Sequence, residues 1–282
     1  MNTAVTARPG WEALLELKYG MRASTTRLIS KRQLGPLTLQ RAFYPEGDTC
    51  HSYILHPPGG VVGGDSLQID ITAESGTHSL LTTPGATKFY RSHAQASARV
   101  SQNIAIASGA AVEWLPQQNI FFPGANVELS TNINIAADGN YMGWEINCLG
   151  RPANGETFSS GRMRSTTSVS IGGELRLVER LAICSEQALT ASTGMRGLAM
   201  QGSFVAAPCN SADKDSMAQI LQESTGRDYP HPIGLTLVDE VLVIRALGEQ
   251  TEPLLQLFTL LWTELRLQKL NKPSCIPRIW AT

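Results

Sequence analysis

Period-two alternation constrains this chain more than any other feature. Leu67, Ile69 and Ile71 alternate with polar neighbours, as do Val127, Leu129, Thr131, Ile133 and Ile135. Successive strand side chains point to opposite faces, so each run gives a strand with one apolar face to bury. Turn dipeptides punctuate the runs. Asp138-Gly139 in NINIAADGNYMGWEINCL predicts a hairpin, and Gly172-Gly173 does the same in SVSIGGELRLVERLAI. Short strands with frequent turns make the first two thirds mainly β, as a sandwich or as stacked, coiled sheets of β-helix type. No fixed repeat length is visible, so a regular solenoid is not indicated.

The last third changes character. Residues 202–207 read as a strand and 213–223 as a short helix with Met217, Ile220 and Leu221 on one face. Strands are expected over 233–238 and 241–247. A second helix fits TEPLLQLFTLLWTELRLQKL, with Thr251 as N-cap and Pro253 in the first turn. Leu254, Leu257, Phe258, Leu261 and Leu265 keep helical spacing. Two α-helices toward the C-terminus thus close an α/β portion at about 200–270. The tail NKPSCIPRIWAT, with two prolines, reads as extended. No Pro/Ser-rich linker interrupts the chain, so 1–282 is read as one unit.

Net charge is −1, which argues against nucleic acid or an anionic membrane as the main partner. Charged residues are only 17%, against about 25% for typical soluble chains. Two readings fit equally: a protein partner covers part of the surface, or the chain is simply a β-protein rich in small residues. The N-terminal segment has no basic stretch followed by an apolar run, so no secretory signal is expected. Nothing approaches the ~18 apolar residues of a membrane span. The five cysteines, Cys50, Cys148, Cys184, Cys209 and Cys275, are scattered, and reduced thiols in a cytoplasmic protein are expected.

The densest motif is HPPGGVVGGDSL, where Gly59, Gly60, Gly63 and Gly64 precede Asp65. Gly59 and Gly64 have the GxxxxG spacing of a phosphate loop, but Asp65 stands where the lysine belongs. A carboxylate there repels phosphate, so nucleotide binding is not expected. A glycine-dependent turn between strands is the plainer reading, although four glycines suggest that backbone comes close to something else. A ligand-binding or hydrolytic enzyme using this loop, 59–65, remains the alternative. No GxSxG elbow is present, and no catalytic residues are assigned. His51 and His56 lie near Cys50, but neighbouring residues on an extended chain face opposite ways, which argues against a metal site from this segment. His78, His93 and His231 stand alone in the sequence.

Three acids stand out. Asp65 shares the parity of Leu67, Ile69 and Ile71; Glu179 shares that of Leu175, Leu177, Leu181 and Ile183. A carboxylate on an apolar face is costly unless paired or hydrated. Glu179 is explained either by a buried salt bridge, to Arg91 or to a neighbour of Arg180, or by a polar passage inside the protein. Glu145, opposite in parity to Trp144 and Ile146, is expected to face water.

The blocks FYPEGDTCHSYILHPPGGVVGGDSL, LLTTPGATKFYRS, EWLPQQNIFFPGANVEL, CLGRPANGETF and PRIWAT resemble the urease accessory protein UreD family, called UreH in some bacteria. The resemblance runs over residues 11–282. It implies a cytoplasmic, non-enzymatic scaffold for nickel delivery to apo-urease, with a β-rich stacked fold. It implies UreF, the GTPase UreG and the urease apoprotein as partners, with UreG supplying the nucleotide loop. The glycines 59, 60, 63 and 64 then mark a structural or docking loop. No tightly bound cofactor is implied, only nickel in transit along an internal, water-filled route. Asp65, Glu145 and Glu179 are the candidate acids of that route, since carboxylates hold Ni²⁺ weakly enough to release it.

Overall fold

Most turns in this chain carry it from one sheet to the other. The structure, a computed structural model, describes residues 10–93, 96–184, 186–224 and 229–281. The start of the N-terminal segment read for a secretory signal lies outside them. Strands β1 (Glu12–Arg22) and β2 (Thr25–Leu34) form a hairpin, and β3 (Thr38–Leu39) pairs antiparallel with β4 (Cys50–Leu55). Winding then begins. Strands β5 (Ser66–Ala73), β8 (Ala98–Ile106), β11 (Asn126–Ile135) and β14 (Arg162–Ile171) stack in parallel on β1. Strands β6 (His78–Thr82), β9 (Ala111–Trp114) and β12 (Asn140–Arg151) stack in parallel on β4 in the second sheet. The short β7 (Thr87–Phe89) and β10 (Asn119–Phe121) link to β12, and β13 (Glu156–Thr157) pairs with its end.

Strand β15 (Glu174–Ile183) closes the seven-stranded sheet antiparallel to β14. After a five-residue α1 (Glu186–Thr190), strands β16 (Met200–Ala207), β17 (Ile233–Val238) and β18 (Val241–Gly248) extend the eleven-stranded sheet in the order β12-β16-β18-β17. Helix α2 (Ser211–Ser224) follows β16, and α3 (Thr251–Leu270) lies against β12, β16 and β18. The architecture is a solenoid-like β stack with a helical layer on one side, as the alternation indicated. The two C-terminal helices match the expected pair, and α1 is an addition. Thr251 is the first helical residue rather than the cap: Gln250 holds the cap position in extended conformation and makes no capping hydrogen bond.

Leu67, Val100, Leu129 and Ser165 are stacked neighbours in the first sheet. Their spacing along the chain is uneven because the connecting loops differ in length. That unevenness hid the winding from a search for a fixed repeat.

Asp138-Gly139 is not a hairpin turn. The strands it joins, β11 and β12, belong to different sheets. A two-residue turn signal reports a local reversal, not which sheet the next strand enters. Gly172-Gly173 does close a hairpin, with φ of 60° and 86°. A bulge follows it, between Val169 and Ser170 in register. Beyond the bulge Leu175 leaves the face of Leu177, Leu181 and Ile183 and is 62% exposed.

Two apolar clusters result. One fills the space between the sheets and includes Leu15, Leu17, Ile71, Ile104 and Ile133. The other lies between the second sheet and α3, with Leu254, Leu257, Phe258, Leu261, Trp262 and Leu265. β12 serves both, since Tyr141 and Leu149 enter the first and Met142, Trp144, Ile146 and Cys148 the second. Among the described residues no helix is long and apolar enough to cross a membrane.

Candidate functional site

Polar side chains interrupt the inward faces of both sheets at one level, and there the sheets enclose a cavity of about 290 Å³. Gln102, Thr131, Ser165, Thr167 and Glu179 line it from the first sheet; Glu145, Gln201 and Ser203 line it from the second. Hydrogen bonds cross the gap. Glu145 accepts from Ser165 Oγ at 2.9 Å and from Asn147 Nδ2 at 2.8 Å. Glu179 accepts from Ser203 Oγ at 2.8 Å and from Arg245 Nε at 2.5 Å. The fully buried Asn147 also donates to Gln201 Oε1 and accepts from Asn119.

The two acids differ electrostatically. Burial raises the pKa of Glu145 above the ordinary carboxyl value; its bonds from Asn147 and Ser165 oppose the rise and the charge of Glu179 adds to it. Glu179 has a guanidinium partner. That partner is Arg245 on β18 of the second sheet, rather than Arg91 or a neighbour of Arg180. Glu179 is salt-bridged, to an arginine whose side chain is 43% exposed, and it also lines the cavity. Glu145 does not face open water, as expected, but the lumen. The strand face it shares with Tyr141 and Asn147 is the one turned toward the other sheet.

Asp65 is inward and buried, as its parity indicated, but it is not among the residues lining the cavity. Its carboxylate accepts the N–H groups of Trp11 at 2.8 Å and Val62 at 2.9 Å. It therefore ties the glycine loop to the start of β1. The structure brings Glu145 and Glu179 together and places Asp65 apart.

The glycine density has a steric cause. A Cβ on Gly60 would lie 2.2 Å from the Tyr90 ring. Gly64 has φ +99° and packs against the backbone of Gly10. Gly59 and Gly60 border the lumen at one end, beside His56, whose pKa burial lowers and Asp65 partly restores; Gly63 is pressed against Ala96 and Ser92. No cradle of free N–H groups forms, because Val61 N–H is bonded to Lys88 O and Val62 N–H to Asp65.

A second polar centre escaped sequence reading. Glu113, wholly buried on β9, faces His78 Nε2 at 2.5 Å, Arg266 Nε at 3.1 Å and Trp262 Nε1. Arg266, equally buried on α3, reaches Glu46 Oε2 at 2.6 Å and the Pro273 carbonyl. Glu46 Oε1 lies 2.5 Å from His51 Nε2. Burial would raise both carboxyl pKa values, but the imidazole and guanidinium neighbours outweigh it and hold both below the ordinary range. His78, which stands alone in the sequence, is thus paired in the fold. Its partner is 35 residues away and Arg266 is 153 from Glu113, so no local spacing reveals them. The one visible signal was Glu113 within the otherwise apolar run AVEWL. Cys50 turns away from His51, toward Tyr44 and Ser52.

The chain matches the profile of the family described as UreD urease accessory protein over residues 12–281. It is similar to proteins named urease accessory protein UreD. The relative from Alcanivorax borkumensis is 45% identical over all of this chain and 96% of its own length. That from Escherichia coli is 44% identical over 97% of this chain and 98% of its own, and that from Aliivibrio fischeri strain MJ11 42% over 98% of each.

Proposed function

The chain belongs to the UreD family of urease accessory proteins, and from its role in urease maturation we propose that it is a non-catalytic scaffold whose lumen conducts nickel toward apo-urease. One observation carries this reading: two carboxylates from opposite sheets, Glu145 and Glu179, face the same cavity. Nickel is the cargo here, not a resident cofactor. Monodentate carboxylates surrounded by hydroxyl and amide donors bind a divalent ion without trapping it, unlike a closed thiolate cage. In this reading the cytoplasm is its compartment, UreF and UreG are its partners, and the urease apoprotein is the recipient.

The alternative, a ligand-binding or hydrolytic enzyme built on the glycine loop, is not favoured by the geometry. The amide groups of Gly59, Val61, Val62, Gly64 and Asp65 are already bonded, that of Val62 to the loop's own aspartate. We assign Asp65 to holding that loop rather than to the nickel route.

The test is urease activation in cells lacking this chain, restored with wild type or with Glu145→Gln, Glu179→Gln. The variant is expected to assemble with urease yet leave it with several-fold less nickel and activity. Asp65→Ala is expected to lose assembly as well, since it unties the loop. Full activation by an assembled double variant would refute the route.

A further inference from the structure

We propose that Glu46, His51 and Cys275 form a binding site for a single first-row divalent transition-metal ion, separate from the lumen. The three side chains come from two remote segments, the loop leading into β4 with the first residues of β4, and the C-terminal tail. One donor atom from each lies within 4.8 Å of the other two. Small side-chain rotations bring such a set to the ~2.0–2.3 Å bonds that carboxylate, imidazole and thiolate make to such ions. An oxygen, a nitrogen and a sulfur donor together suit a borderline ion such as Zn²⁺ or Ni²⁺, not Mg²⁺ or Ca²⁺.

The surroundings support the same assignment. Arg266 holds Glu46 by Oε2, which leaves Oε1 directed at His51. Outer partners of this kind fix the orientation of metal-binding carboxylates. His51 is wholly buried, and its Nδ1 has no hydrogen-bond partner. When Nε2 takes a metal, the ion replaces its hydrogen bond to Glu46 Oε1, and the ring proton sits on Nδ1. The Cys275 thiol gives its proton to solvent, and the metal–thiolate unit adds one positive charge. That charge sits beside Glu46, which shares the Arg266 guanidinium with the buried Glu113. Cys275 and Glu46 are only partly buried, which gives the ion an entry and leaves a fourth position for water.

The inference does not depend on the proposed nickel route, and its test does not use urease. The full-length chain, alone or in its accessory complex, is titrated with Co²⁺. One equivalent should bind and produce a near-ultraviolet thiolate-to-Co²⁺ charge-transfer band. Cys275→Ser should abolish the band and weaken binding at least tenfold, while Glu145→Gln, Glu179→Gln leaves both unchanged. In the wild-type chain Co²⁺ or Ni²⁺ should slow alkylation of Cys275 severalfold, with the exposed Cys184 as the unprotected internal control. A band that survives Cys275→Ser, a band lost in the lumen variant, or no protection of Cys275 would overturn the site.

Discussion

Glu145 carries the clearest consequence at the scale of single residues. Its carboxyl sits among protein groups, and burial raises its pKa above the ordinary 4.5. A raised carboxyl contributes stability that is complete below the unfolded value and is lost as the pH climbs through the folded one. The wild-type chain should therefore lose stability relative to Glu145→Gln as the pH rises from about 4.5 toward neutrality. Thermal unfolding of the two proteins across that range measures it. The difference in Tm should be smallest at the acid end and grow with pH; a difference independent of pH would contradict the assignment. Much of this was legible beforehand. Strand parity placed Glu179 and Asp65 inward, and inward they are. Parity alone misjudged Glu145, because β12 is buried on both faces and has no water side. It also gave no hint of what each acid meets. Asp65 meets its own loop and Glu179 meets Arg245 of the other sheet. The centre of Glu46, His51, Glu113 and Arg266 left only Glu113 in an apolar run as a trace, since its members approach only through the fold.

Strands and turns were read with uneven success, for a physical reason. Gly172-Gly173 requires two positive φ values, and that local demand fixes a hairpin. Asp138-Gly139 makes an equally local demand, but the strand after it is recruited by the parallel neighbours β9 and β10 rather than by β11. Uneven loops likewise conceal the coil. A row of polar side chains links successive coils on the outer face. Asn103 donates to Asp70 at 2.7 Å, Asn132 to Asn103 at 2.9 Å and Ser168 to Asn132 at 2.9 Å, each pair from strands in direct register. Asn103 is the middle link and makes two of these bonds. Asn103→Ala should cost about 1–2 kcal/mol, at roughly 1 kcal/mol or less per exposed bond, with no change in secondary structure. Urea midpoints compared with those of Ser168→Ala, which removes one bond, should show about twice the loss. Equal losses would mean that the row is ornament on a register fixed by the core.

The whole molecule combines a coil that grows strand by strand with a helical layer, and such a pairing can come apart. A solenoid held only by neighbouring coils unfolds from its ends, because each repeat contacts just the next. Three features oppose that here. β12 contributes one face to each apolar cluster, so the same strand is packed from both sides. Glu113 in the coil and Arg266 on α3 are both buried, so detaching the helix removes the guanidinium that Glu113 shares with Glu46. The tail completes the tie: Trp280 donates to Thr82 of β6 and packs against Trp144 and Trp262. We propose that residues 1–282 therefore unfold as one cooperative unit. Tryptophan fluorescence is weighted toward the helical layer through Trp144, Trp262 and Trp280, whereas far-ultraviolet circular dichroism is weighted toward the strands. Urea titrations followed by the two signals should superimpose with a common midpoint and slope. A fluorescence transition that runs ahead of the dichroism would show that the helical layer detaches first, and the coil would then count as a separate unit.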